Sequence, residues 1–226
     1  MTTHPLSNPI WNGLVGPHAH LAMGDGRVRR YRQDVAMFVS VEDPTDPDMP
    51  GLLDLVADGN AGFVTEQPVS LPPEIEVVRA VQILQMVATD WSPVPVTVPM
   101  VPLLEADEPA MVELVDLTKP GPFAQRTRLM GAFRGLFDDG RLIAMSGERM
   151  RVPGFTEISA VCTHPDYRGR GYAKQFVSQG GNEIIAAGNV PFLHSFADNA
   201  TAIATYEKLG FRKSRMMNFT VVRRAS

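Results

Sequence analysis

The sequence has only one cysteine, Cys162, among 226 residues. An internal disulfide is excluded, and so is a metal site built from several thiolates. A lone thiol fits a reducing compartment, and the expected location is cytoplasmic. Long apolar runs are also missing. The longest candidate, "VPVTVPMVPLL", is broken by Pro95, Pro99 and Pro102, so no membrane span is expected. The opening "MTTHPLSNPIW" lacks the basic-then-apolar order of a signal peptide. Positive charge is in deficit, with 21 Lys/Arg against 25 Asp/Glu, which argues against a general nucleic-acid binder. There is no repeat of fixed period and no low-complexity tract. What remains is 44% hydrophobic and 20% charged, the composition of a globular protein.

Charge divides the chain unevenly. Residues 1–96 hold 5 Lys/Arg against 12 Asp/Glu, whereas residues 97–226 hold 16 against 13. The stretch "DWSPVPVTVP" (90–99) is the best candidate boundary because proline disfavours regular structure. Two parts are expected: a smaller opening module, 1–96, and a second domain, 97–226. In the first part, "VAMFVSV" (35–41) predicts a strand and "PGLLDLVADG" (50–59) a short helix. "EIEVVRAVQILQMVA" (74–88) predicts a long strand from its β-branched content.

The second part alternates strands and helices. "LLEADEPAMVELVDL" (103–117) predicts a strand end and a helix whose first turn tolerates Pro109. The "DDG" at 138–140 predicts a hairpin turn between two strands. A third strand, "FTEISAVCT" (155–163), leads through "HPDYRGRGYA" into a helix over 171–188. Its apolar positions Ala173, Phe176, Val177, Ile184 and Ala187 recur at helical spacing, and Gly180–Gly181 marks a bend or a close contact. Then come a buried-type strand (190–196), a helix (198–211) capped by Asn199 with Gly210 just past its end, and a closing strand (215–224).

"HPDYRGRGYA" carries chemistry. A strand entering a glycine-rich turn that opens a helix presents free N–H groups at the positive end of the helix dipole, which suits phosphate. Gly169 and Gly171 allow close approach of the main chain, and Arg168 and Arg170 add charge. The stretch is not a Walker loop, since no Gly-Lys-Ser/Thr follows, and its glycines are not spaced as a dinucleotide fingerprint.

Two motifs in order, Arg168-x-x-Gly171-x-Ala173 with Pro165 before it and Asn199 with "YEKLGF" (206–211) after it, resemble the GNAT superfamily of N-acetyltransferases. The resemblance covers residues 97–226. It implies a mixed α/β sheet in which two central parallel strands, 157–163 and 190–196, splay apart to admit acetyl-CoA. Residues 1–96 then form a smaller α/β module that covers the acceptor side or is a degenerate second copy of the fold. By resemblance, the backbone of Val161, Cys162 and Thr163 pairs with the pantetheine arm, and the N–H groups of Arg168, Gly169, Arg170, Gly171, Tyr172 and Ala173 receive the pyrophosphate. Asn199 touches CoA.

The implied reaction is direct attack of a primary amine on the thioester. An alkylamine has a pKa near 10, so a base is needed. Glu157 is the first choice, taken by alternation to share a face with Ser159, Val161 and Thr163; Glu148 is the reserve. Tyr206 is the acid expected for the departing thiolate, two helical turns from Asn199 and on its face. Each role has a plain structural alternative: a salt bridge for Glu157, a half-buried aromatic for Tyr206, a helix cap for Asn199. Cys162 is read as a packed thiol. His18 and His20 have no obvious third ligand, so no metal is expected. His194 lies near the presumed site, either assisting the acceptor or hydrogen-bonded in the core. The acceptor is a small-molecule or peptide amine; neither nucleic acid nor membrane is expected as a partner, and a homodimer stays open. The rival reading is a non-catalytic acyl-CoA-binding module.

Overall fold

The structure is a computed structural model that describes residues 4–56 and 59–225. Residues 57 and 58, within the helix expected over 50–59, lie outside the described residues. The opening segment forms α1 (Pro9–Leu14), β1 (Ala22–Met23), β2 (Val28–Tyr31), β3 (Val39–Val41) and α2 (Leu52–Leu55). Next come β4 (Ala61–Thr65), β5 (Ile75–Ala88), β6 (Val101–Pro102) and α3 (Glu108–Thr118). The remainder is β7 (Phe133–Asp138), β8 (Arg141–Val152), β9 (Phe155–Thr163), α4 (Tyr172–Ala186), β10 (Val190–Phe196), α5 (Ala200–Lys208) and β11 (Phe211–Arg224).

Strands β1–β3 make a small sheet, and the others make one eight-stranded sheet in the order β4-β11-β5-β10-β9-β8-β7-β6. The strand signals at 74–88, 155–163, 190–196 and 215–224 all reappear. The proline-rich connector does not interrupt the sheet, however. Strand β5, which precedes it, lies between β10 and β11, with Phe192–Phe196 against Val87–Ile83 on one side and nearly all of β11 on the other. Residues 61–88 of the expected opening module therefore complete the sheet that residues 97–226 begin.

Helices α4 and α5 cover one face. Val177, Ile184 and Ile203 pack there on Met86, Ile158 and Leu193. On the opposite face Leu6, Ile10 and Leu14 pack with Tyr31, Phe38 and Met150, while α3 buries Met111 and Leu114 against Leu142 and Met145. Apolar burial on this scale is the main favourable term in holding the layers together.

The paired glycines of α4 mark a close contact at one position. A Cβ on Gly181 would enter the indole ring of Trp91, whereas at Gly180 the nearest atoms, on Ile158, stand 3.8 Å away. Trp91 is also anchored from α4, its Nε1 donating to Asn182 Oδ1 at 2.9 Å. Gly181→Ala is expected to destabilise the fold by about 1–3 kcal/mol, the cost of overpacking, although alanine is the better helix former. Gly180→Ala, with room to spare, should be neutral or stabilising. Urea denaturation of the two variants checks the pair.

Candidate active site

Strands β9 and β10 run parallel for three residues only, Phe155–Glu157 beside Val190–Phe192. Beyond Glu157 they separate: β10 stays with β5 and β9 with β8. Between the Gly147–Ser159 and Met145–Cys162 pairs, β9 carries one residue more than β8. This bulge contains Ala160, whose φ of 51° is unusual for a residue with a Cβ. The edge of β9 that faced β10 is thereby left without a strand partner.

The bulge corrects the face expected for Glu157. Ile158 and Val161, three residues apart, both join the core beneath α4 and α5. Cys162 packs on the α3 side. The two-residue alternation slips at Ala160, so Glu157 and Val161 do not share a face.

A cleft of about 550 Å³ passes through the opening. On the α4–α5 side its wall includes Val161, Arg168, Ala173, Asn199 and Tyr206. On the other side it includes Arg149, His194 and four apolar residues, Phe38, Val64, Ile83 and Phe219. The turn below it has the backbone that an anion cradle requires. Gly169 and Gly171 have φ of 79° and 76°, and a Cβ at either would meet nothing within 4 Å. Gly171 caps the 15-residue α4, whose first-turn N–H groups have no helical acceptor. These features fit a pyrophosphate.

The side chains of the turn point to different duties. Arg168 Nε donates to the Thr163 carbonyl at 3.4 Å. The Arg170 guanidinium lies 4.8 Å over the Tyr167 ring, and Tyr172 packs against the cluster around Phe176. Cys162 is buried, and burial pushes its thiol up to about 11, which leaves it protonated and a poor nucleophile at neutral pH. Asn199 Oδ1 accepts from Ala202 N–H at 3.1 Å, so it does cap α5. Tyr206 stands half-buried on the wall, and burial raises its phenol to about 12.

Glu157 is not on the wall. It is 1% exposed and accepts from Arg149 Nε at 2.9 Å, Arg149 Nη2 at 2.7 Å and His194 Nδ1 at 2.8 Å. Burial pushes its pKa up, but the charge of Arg149 and the bonds from His194 and Arg149 outweigh that and hold it at about 2. Gln85, fully buried, settles the histidine tautomer. Its Nε2 donates to the Leu6 carbonyl at 3.1 Å and lies 3.1 Å from His194 Nε2. His194 Nε2 is therefore the acceptor and Nδ1 the donor toward Glu157. Arg149 and Gln85 were not singled out from the sequence. A glutamine inside the apolar run Ile83-Leu84-Gln85-Met86 was a usable signal, since a buried amide needs a partner. Nothing local marks Arg149.

The other candidates lie elsewhere. Glu148 accepts from Arg151 Nε at 2.9 Å and from Ala132 N–H at 3.3 Å, off the cleft. His18 Nδ1 lies 2.8 Å from the hydroxyl of Tyr31, and burial followed by the charge of Arg151 lowers its pKa to about 4. Among the described residues, no group of three or more His, Cys, Asp or Glu side chains could hold a metal ion, and no helix is long and apolar enough to cross a membrane.

A sequence model of the FR47-like protein family matches residues 133–220. The chain is also 40% identical to a Novosphingobium aromaticivorans protein assigned as an acetyltransferase of the GNAT family; the match covers 99% of this chain and 100% of that one, with a TM-score of 0.89. The chain belongs to the GNAT family. Its fold is shared with a GCN5-related N-acetyltransferase from Kribbella flavida (15% identity, 91% and 89% of the two chains, TM-score 0.59). A GCN5-related N-acetyltransferase-like protein from Streptococcus suis also shares it (17% identity, 96% and 92%, TM-score 0.60). No curated protein matches the chain. The protein is thus a GNAT acyltransferase whose mixed sheet has the splayed parallel pair expected of that family.

Proposed function

We propose that this GNAT protein moves the acetyl group of acetyl-CoA to the primary amine of an acceptor by direct attack in a ternary complex. The observation that carries the reading is the placement of the opening between β9 and β10. It lies beside the free N-terminus of α4, with Tyr206 on one side of the gap and His194 on the other. CoA belongs on the α4–α5 side, against the unpaired edge of β9 and the backbone of Arg168–Ala173, and the acceptor on the side of Arg149 and His194.

An amine is mostly protonated at neutral pH, but among the described residues the cleft wall carries no carboxylate to hold an ammonium, and apolar surroundings favour the neutral form. The remaining proton goes to His194 Nε2 once the Gln85 N–H gives way. Glu157, expected as the base, takes part through His194: it holds Nδ1–H and stabilises the imidazolium, as a carboxylate behind a catalytic histidine does. The C–N bond forms, the C–S bond breaks, and the leaving sulfur takes a hydrogen bond from the Tyr206 hydroxyl. A phenol at about 12 stays protonated throughout the working range.

Tyr206→Phe is expected to lower kcat by about 10²-fold, within the usual range for a positioned proton donor, and to leave the KM for acetyl-CoA nearly unchanged. His194→Asn should lower kcat by about 10²-fold and leave the KM for acetyl-CoA nearly unchanged, a split that general loss of structure would not give. Thiol release from acetyl-CoA across amines, amino acids and peptides tests the whole reading. Tight acetyl-CoA binding with no turnover on any of them would make the chain an acyl-CoA-binding module instead.

A further inference from the structure

We infer that the acceptor is a small amine with an apolar, aromatic-sized body and a carboxylate or carbonyl oxygen near the amine, not a polyamine or other polycation. The inference rests on the acetyl-transfer reading and adds to it the chemistry of the second substrate.

The sequence places its acidic excess in residues 1–96, which would suit cationic acceptors if those carboxylates faced the cleft. Among the described residues they do not: no Asp or Glu lines it, and the carboxylate behind it, Glu157, has its charge matched by Arg149. What residues 1–96 contribute to the wall is apolar: Phe38 before β3, Val64 on β4 and Ile83 on β5, joined by Phe219 from β11. The Phe38 and Phe219 rings meet edge to face, 6.4 Å apart at an interplanar angle of 65°. A polycation entering here would be desolvated with no counter-charge, whereas an aromatic or aliphatic body replaces water on apolar surface.

Arg149 supplies the polar element. Its Nε and Nη2 are committed to Glu157, and its guanidinium lies 5.2 Å from the Phe38 ring centroid. Nη1 has no hydrogen-bond acceptor among the described residues, yet Arg149 stands on the cleft wall. An arginine fixed on one edge and by one face, standing on a cleft wall with Nη1 uncommitted, is a pre-oriented donor for an oxygen that enters the cleft. It sits on the same side of the gap as His194, so the oxygen it binds belongs close to the reacting amine.

The test uses the full chain and follows thiol release from acetyl-CoA with L-phenylalanine, phenylalaninamide, phenethylamine and spermidine. L-Phenylalanine or its amide should exceed phenethylamine in kcat/KM by about tenfold or more, the worth of one charge-assisted hydrogen bond. Phenethylamine should in turn exceed spermidine by about tenfold or more, the worth of a buried ring. The free acid against the amide tells carboxylate from carbonyl. Spermidine equal to or better than the aromatic amines overturns the inference and leaves acetyl transfer standing. If no amine reacts, calorimetry in the presence of CoA separates the two statements. Binding of L-phenylalanine but not spermidine keeps the acceptor chemistry and removes the catalytic reading; binding of neither, or of spermidine alone, overturns the acceptor chemistry.

Discussion

Glu157→Gln is expected to destabilise the protein by about 3–5 kcal/mol, because it leaves the charge of Arg149 buried without its counter-ion. The carboxylate accepts three hydrogen bonds from two side chains at a position 1% exposed. An amide keeps the volume but not the charge, and its NH2 end would face a donor. Activity should fall by about 10²-fold or more, since the imidazolium that forms at His194 loses the carboxylate that stabilises it. Glu157→Asp keeps the charge and should recover part of the stability. The pH dependence separates this effect from generic damage. Glu157 has a folded pKa of about 2, below its unfolded value. Its contribution is therefore complete above about pH 4.5 and is lost as pH falls toward 2. His18, lowered to about 4 by burial, contributes above about pH 6.5 and loses its share as pH falls toward 4. Urea midpoints of the wild type should drop in two stages on acidification. In Glu157→Gln the lower stage should shrink while the upper stage remains, because Asp43, Asp46 and Glu66 are also held below their ordinary values.

The elements around the site were legible because their signals are local. Asn199 and Gly210 bracket the last helix, the apolar positions of 173–187 repeat at helical spacing, and glycine-rich 169–171 punctuates a strand-to-helix passage. The structure keeps each of these, with Asn199 capping α5 through Ala202. The slip at Ala160 was not legible. A left-handed φ at alanine has no sequence mark, and one extra residue in β9 reverses every side chain after it. Strand partners were equally hidden. Proline at 93, 95 and 99 reads as a border, yet β5 on its near side is held between β10 and β11 by pairings more than 100 residues apart in sequence. The cluster under the cleft combines both problems. Glu157, His194, Arg149 and Gln85 come from four strands, so their meeting depends on a sheet order that no local pattern encodes.

Gly171→Glu should abolish useful acetyl-CoA binding, raising its KM by about 10²-fold or more. Three physical effects act in the same direction. The residue sits at φ 76°, where a side chain costs about 1–2 kcal/mol. A carboxylate at the N-terminus of α4 competes for the N–H groups that the pyrophosphate needs. It also sets negative charge against negative charge. The strain can be separated from the other two, because a Cβ at this position meets nothing within 4 Å. Gly171→Ala therefore adds strain with no clash inside the protein, so its thermal midpoint should fall about as far as that of the Glu variant while its acetyl-CoA affinity falls much less. Affinities in the order Gly, Ala, Glu, measured by calorimetry with CoA and acetyl-CoA, are the expected result. Equal affinity for the wild type and Gly171→Glu would mean that the phosphates bind elsewhere on the chain, and the assignment of the α4–α5 side of the cleft to CoA would fall with it.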